Sequence, residues 1–210
     1  MQRILALLLA GFLSLPIFAA PDESTPEKLI MSTVAQVLEI VRKDQSIVSD
    51  QQRLLDLVDA CILPHFDFTR MTQLAVGRPW RSASAEQKAA LTTEFRNMLV
   101  RTYTRTFSTY TEPKVDLKAV RAQSETEATV QTQIQIPDGR VVAVNYEMRK
   151  TDLGWKVFDV VVEGISLVTS YRSSFADHIQ RDGIDGLIQS LAEKNQSSQV
   201  AGKPGKVQSN

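Results

Sequence analysis

The chain has 210 residues, 43% of them hydrophobic and 23% charged, with 24 basic and 24 acidic side chains and a formal net charge of +0. That size and apolar content suit one globular domain. The charge balance removes the global electrostatic case for nucleic acid or an anionic membrane surface as partner.

Met1-Gln2-Arg3 gives a short basic start, Ile4 to Phe18 is almost wholly apolar, and Ala19-Ala20 are small. This is the layout of a secretory signal peptide over residues 1–20, cleaved after Ala19 or Ala20. The apolar run is short for a membrane span, and no cysteine follows it to take a lipid. Cys61 is the single cysteine. An intramolecular disulfide is therefore excluded, and a Cys-based metal cluster is argued against. Its helical spacing with Leu54, Leu57 and Val58 reads as a small buried hydrophobe.

Ser24-Thr25-Pro26-Glu27 opens a first helix, by capping-box spacing and a proline suited to the first turn. Leu29, Ile30, Val34, Val37, Leu38 and Val41 then share a face. Ser49-Asp50 starts a second helix ending near Pro64. Asp67 caps a third, short one that Gly77 stops. Ser82 or Ser84 caps a long fourth helix. Its apolar residues Leu91, Phe95, Met98, Leu99, Tyr103, Phe107 and Tyr110 spread over about half the circumference. A face that broad covers something large, a sheet alone or a sheet with a ligand between.

From Glu112 the period changes to two. Val115, Leu117 and Ala119 alternate with charged residues. Ala128, Val130, Thr132, Ile134 and Ile136 alternate with Thr and Gln. Ile136-Pro137-Asp138-Gly139-Arg140 is a turn in which proline fixes φ and glycine takes the left-handed position. Val142, Val144, Tyr146 and Met148 line one face of the next strand, and Trp155 to Val162 forms another. Glu163-Gly164 breaks that strand. Ile165, Val168, Tyr171, Phe175 and Ile179 recur at helical spacing, Asp182-Gly183 ends that helix, and Ile184 to Leu191 marks a last short one. Helices followed by antiparallel strands argue an α+β fold, with helices gathered on one face of a curved antiparallel sheet. The expected divisions are a helical half over about 24–111, a sheet over about 113–163, C-terminal helices over about 165–194, and a disordered tail over 195–210.

Residues that could carry catalysis are few. His65 and His178 are the only histidines. No HExxH, GxSxG or glycine-rich phosphate loop occurs. Asp159 alternates with Val157 and Val161, so it points with apolar neighbours. It is either a general base with a raised pKa or a satisfied structural anchor. Without a nucleophile–base constellation the chain does not read as an enzyme.

The apolar excess says more. Val157 and Val161 fall on one face of their strand by alternation, and Phe158, Val160 and Val162 on the other. One face meets the helices. The other requires a second layer or a ligand. A buried lipid chain contributes about 0.8 kcal/mol per CH₂, so an apolar cavity holds lipid without a specific polar contact.

The leader, the stretch PHFDFTRMTQLAVGRPWRSASAEQKAALTTEFRNMLVRTY and the stretch VFDVVVEGISLVTSYRSSF together resemble the MlaC family, also described as toluene-tolerance auxiliary substrate-binding proteins. The telling pieces are Phe66-Asp67-Phe68, Gly77-Arg78-Pro79-Trp80, Phe95 with Leu99 and Tyr103, Trp155, Asp159, Gly164-Ile165-Ser166-Leu167 and Tyr171-Arg172. The similarity runs from about Glu23 to Leu191. It implies a soluble, monomeric periplasmic phospholipid carrier between outer and inner membranes, linked to outer-membrane lipid asymmetry. It implies an NTF2-like α+β fold with an apolar lipid cavity between sheet and helices. Implied partners are an outer-membrane MlaA–porin complex and MlaD of the inner-membrane MlaFEDB ABC transporter. No cofactor and no catalytic residues carry over, and the phospholipid is cargo.

The residues expected to line the cavity are Leu74, Trp80, Phe95, Met98, Leu99, Tyr103, Val130, Ile134, Val144, Tyr146, Met148, Val157, Val161, Ile165, Val168 and Tyr171. Arg78, Arg96 and Arg172 are the candidates for the phosphate or the mouth, against an ordinary reading as solvated or snorkelling arginines. Two other classes stand beside the carrier. One is a ligand-free NTF2-like periplasmic adaptor that binds a membrane complex. The other is a small hydrolase using Asp159.

Overall fold

A computed structural model describes residues 24–107, 113–137 and 139–201 of the chain. The expected leader, Tyr110, Asp138 and the last nine residues of the expected tail, 202–210, lie outside the described residues. In chain order the elements are α1 (Pro26–Lys43), α2 (Gln51–Cys61), α3 (Phe68–Val76), α4 (Ala85–Phe107), β1 (Lys114–Ala122), β2 (Glu127–Gln135), β3 (Val141–Thr151), β4 (Gly154–Val162), β5 (Ile165–Ser166) and α5 (Arg172–Ala201). Short 3-10 turns join several of them. The strands form one antiparallel sheet in the order β1-β2-β3-β4-β5. The fold is α+β, as expected.

Local chemistry starts each helix where the sequence places a cap. Thr25 rather than Ser24 caps α1, its hydroxyl accepting from the Lys28 N–H at 3.4 Å. Asp50 accepts from the N–H groups of Gln52 and Arg53 at the start of α2, and Asp67 from that of Arg70 at the start of α3. Ser84 and Gln87 exchange reciprocal hydrogen bonds ahead of α4, at 3.1 and 3.0 Å. Gly77, with φ 71, terminates α3.

Two β-bulges rearrange the faces that strict alternation predicts. In β1 the register shifts between Leu117 and Ala119, so Val115 and Leu117 lie opposite Ile134 and Thr132, but Val120 and Ala122 lie opposite Val130 and Ala128. Ala119 therefore leaves the face expected for it. In β4 the register shifts at Phe158: Met148 lies opposite Val157, and Glu147 opposite Asp159. Val157 and Val160 thus share one face, with Met148 and Tyr146, whereas Val161 turns to the other, with Asn145. The expectation that Val157 and Val161 share a face is corrected by that one extra residue. Bulges also increase local twist, which suits a curved sheet.

The C-terminal corner differs from its expected form. Glu163 (φ 50) and Gly164 (φ 81) turn the chain back, so Ile165–Ser166 pairs with Val161–Val162 as β5 instead of starting a helix. The helix begins at Arg172, after a 3-10 turn over Thr169–Tyr171. Gly183 (φ 74, ψ −177) breaks α5 where the sequence predicts a stop. The expected tail boundary at 195 is also corrected, because α5 runs to Ala201. Asn195 is buried. Its side-chain amide donates to the Glu94 carbonyl at 3.0 Å and the Glu94 carboxylate at 2.7 Å, and Arg101 donates to its carbonyl at 2.5 Å. Polar composition hides this tether of α5 to α4.

Candidate functional site

Two apolar clusters fill the interior. The first lies between α1 and the inner face of the sheet. Leu29 and Ile30 pack with Ala128, Val130, Met148, Trp155 and Val157, flanked by Val34, Tyr146 and Val160. The second is helical. Met71, Ala75, Val76 and Trp80 pack with Leu91, Phe95 and Leu99 of α4, with Val168, and with Phe175, Leu187 and Leu191 of α5. Phe95 meets Tyr171 and Phe175 edge-on, with ring centroids 5.4 and 5.2 Å apart. Phe66 touches both clusters. Beside it the Asp67 N–H donates to the Val157 carbonyl at 2.8 Å, docking the start of α3 on the edge of β4.

The residues expected to line one cavity divide between these clusters. Leu74, Trp80, Phe95, Met98, Leu99, Tyr103, Val168 and Tyr171 belong to the helical one. Val130, Tyr146, Met148 and Val157 belong to the α1–sheet one. Ile134 and Val144 continue the inner face of the sheet by register, Val144 buried and Ile134 half-buried. Val161 is half-buried on the opposite face. Ile165 is 65% exposed, so as a cavity residue it is corrected: β5 turns its side chain to solvent.

The three arginines are also dispersed. Arg78 is exposed in the 3-10 turn after α3. The Arg96 guanidinium pairs with Asp59 and stands 5.7 Å from the Phe68 ring centroid. The Arg172 guanidinium lies against Gly77, where a Cβ would meet its Nε at 3.3 Å. Arg96 therefore ties α4 to α2 and α3, and Arg172 lies close against the end of α3.

Sequence reasoning missed a cleft of about 410 Å³ at the far end of α1. Leu38 and Val41 of α1, Val48 of the following 3-10 turn, and Pro113 and Val115 at the start of β1 form its apolar walls, and Arg42, Gln45 and Lys114 complete the lining. Leu38 and Val41 were legible as part of the apolar face of α1. Their use as a cleft wall depends on β1 starting beside them.

The phenols inside the molecule are held neutral. Burial pushes the Tyr171 hydroxyl far above its usual range, and the Tyr103 hydroxyl beside it adds to the shift. Burial also raises that of Tyr146, partly offset by a hydrogen bond with Thr132. Cys61 is a thiol whose pKa burial raises, which disfavours the nucleophilic thiolate.

Asp159 is buried and fully engaged. Its carboxylate accepts from the Ser166 hydroxyl, the Val160 N–H at 2.8 Å and the Val168 N–H at 3.2 Å. The Ser166 oxygen in turn accepts from the Thr169 N–H at 2.9 Å. This set holds a corner. His178 is elsewhere, bonded to the Gly186 carbonyl and near Asp182. Among the described residues no group of three or more His, Cys, Asp or Glu could hold a metal ion, and no helix is long and apolar enough to cross a membrane.

The family model "MlaC protein" matches residues 31–193. The chain belongs to the MlaC family. Within that family it is 24% identical over 206 residues to "Toluene tolerance protein ttg2D" of Pseudomonas putida, covering 94% of each chain. It is 22% identical over 177 residues to "Intermembrane phospholipid transport system binding protein MlaC" of Haemophilus influenzae, covering 81% of this chain and 82% of the relative. A solved structure of a phospholipid-binding protein from Ralstonia solanacearum, in complex with a phospholipid, superposes with a TM-score of 0.74. That protein is 34% identical to this chain, and the match covers 81% of this chain and 96% of the other. The MlaC match takes in α1 from Met31, the whole sheet and α5 to Glu193, and so covers both apolar clusters except Leu29 and Ile30.

Proposed function

We propose that this MlaC-family chain binds a phospholipid and carries it through the periplasm between the outer and inner membranes, preserving outer-membrane lipid asymmetry. The observation that carries this reading is the 34% identical structure with a phospholipid bound, of which 96% is covered. The apolar seam between α1 and the sheet, with the cleft at Leu38 and Val41 farther along the same helix, supports it physically. Acyl chains in that seam are stabilised by about 0.8 kcal/mol per buried CH₂, and no covalent chemistry is needed. The chain acts as a carrier, with phospholipid as cargo. Its docking partners are the MlaA–porin complex at the outer membrane and MlaD of the MlaFEDB transporter at the inner one.

The seam also accounts for the choice of residues. Small and β-branched side chains (Ala128, Val130, Thr132, Val144) predominate on the inner face of β2 and β3. The Tyr146 hydroxyl, kept protonated by burial, adds no charge there. A charge in the seam would oppose burial of an acyl chain.

A transfer assay tests the proposal. Donor vesicles carry a labelled phospholipid, acceptor vesicles carry none, and the mature protein is added. Transfer that scales with protein concentration supports the carrier. A folded protein that moves no lipid above the spontaneous rate contradicts it and favours a ligand-free adaptor. Release of fatty acid from the label would favour a hydrolase.

A further inference from the structure

Resting on the carrier reading above, we propose that Arg42 and Lys114 at the α1–β1 cleft hold the phosphate of the bound lipid. The cleft joins two unlike surfaces. Leu38, Val41, Val48, Pro113 and Val115 are apolar, and the two cations stand on opposite walls, one on the last turn of α1 and one at the first residue of β1. An apolar cleft with a cationic rim suits an amphiphile with an anionic end.

The local charges are unevenly satisfied. Glu39 pairs with Lys43 at 2.7 Å, and Asp44 pairs with Arg53 at 2.6 Å. Among the described residues Arg42 makes no side-chain hydrogen bond and no ion pair within 4 Å, although Glu39 lies near enough to feel its charge. Lys114 has one loose pair, with Asp116 at 3.5 Å, and 69% of its side chain is exposed. The negative end of the α1 dipole accounts for the cations of its last turn, Arg42 and Lys43. It does not account for the further cation that β1 adds to the same cleft.

The direction of the seam agrees. Leu29 and Ile30 close one end of α1 against Met148, Trp155 and Val157. Arg42 lies at the other end, about 18 Å farther along the helix axis, a span comparable to an extended acyl chain. Chains lying toward the sealed end place the phosphate at the open one. Its volume, about 410 Å³, sits toward the small end of the usual range for ligand sites, about 300–1,000 Å³. That suits a head group with the tops of its chains.

The test uses the delipidated full mature chain with vesicles holding equal amounts of phosphatidylethanolamine and a diacylglycerol with the same chains. Extracted lipid is quantified by mass spectrometry. Wild type is expected to take up phospholipid over diacylglycerol by at least about tenfold, the ratio typical of one charge-assisted contact. R42A/K114A is expected to lose that preference, its phospholipid uptake falling toward that of diacylglycerol, and R42K/K114R to retain it. A double alanine variant with the wild-type ratio overturns the proposal. Inorganic phosphate is the second probe. Its binding, abolished in R42A/K114A with no preference between the lipids, would assign the cations to a free anion and also overturn it. Uptake of neither lipid by wild type would instead overturn the carrier reading.

Discussion

The carboxylate of Asp159 accepts the backbone N–H of Val168 at 3.2 Å, across the corner where the sheet gives way to α5. The same carboxylate takes the Ser166 hydroxyl, so one buried side chain fixes β5 and the approach to the helix. Asp159→Ala leaves the half-buried Ser166 hydroxyl and two N–H groups short of an acceptor. The expected cost is about 1–3 kcal/mol, read as a lower urea midpoint with an unchanged slope. Asp159→Asn keeps one acceptor oxygen and should cost less. Under a purely structural role, either variant that remains folded carries lipid as wild type does. Loss of carriage without loss of stability would show that Asp159 does more than hold the corner.

Ile165 and Leu38 separate surface from wall. Alternation and helical spacing place Ile165 inside, but β5 leaves it 65% exposed. Ile165→Glu is expected to change stability by no more than about 0.5 kcal/mol and to leave the lipid load intact. Leu38→Glu puts a charge into the apolar wall of the cleft. It is expected to lower lipid per folded protein by at least about tenfold, roughly 1.4 kcal/mol of binding. Quantified lipid extracts of the two purified variants make the comparison.

Gly77 and Gly183 both need a positive φ, but their surroundings differ. A Cβ at Gly77 would meet the Arg172 guanidinium at 3.3 Å, whereas one at Gly183 would meet nothing within 4 Å. Gly183→Ala should therefore cost only backbone strain, about 1–3 kcal/mol. Gly77→Ala should cost that and also shift the Arg172 guanidinium that lies against it. Thermal denaturation of the two variants checks the order, with Gly77→Ala the less stable.

Phe95 is wholly buried and meets two aromatic rings edge-on. Phe95→Ala is expected to destabilise the protein by about 3–5 kcal/mol. That loss is large against a typical total of about 5–15 kcal/mol and should appear as a clear fall in the urea midpoint.

Asp44 supplies the pH dependence. The Ser46 hydroxyl and the Arg53 guanidinium hold its carboxyl down to about 2, from 3.8. Its folded pKa is depressed, so its contribution is present above the unfolded value and fades as pH falls through the folded one. The stability difference between wild type and Asp44→Ala should stay level from neutrality to about pH 5 and shrink between about pH 4 and about pH 2. Urea titrations at several pH values would detect it.

Much of the fold is legible because its signals are local. Asp50 and Asp67 cap where the sequence places caps, Gly77 and Gly183 interrupt helices where expected, and the alternation of β2 and β3 survives in their register. What the sequence hides is non-local. The bulge at Phe158 moves Val161 to the opposite face, and no residue type announces it in a run of valines. Asn195 looks like the start of a polar tail until α4 supplies Glu94 and Arg101. Arg96 is a free arginine in the sequence, and becomes a helix tie only when Asp59 and Phe68 arrive beside it. The cleft at Leu38 and Val41 was invisible for the same reason, since Pro113 and Val115 reach it from more than seventy residues away.

Native mass spectrometry of the protein, expressed from its full-length sequence and purified without detergent or delipidation, tests the central claim most directly. The account predicts a mass above that of the bare chain by one or more phospholipid molecules, released intact on activation. A folded protein found only at its bare mass would contradict it.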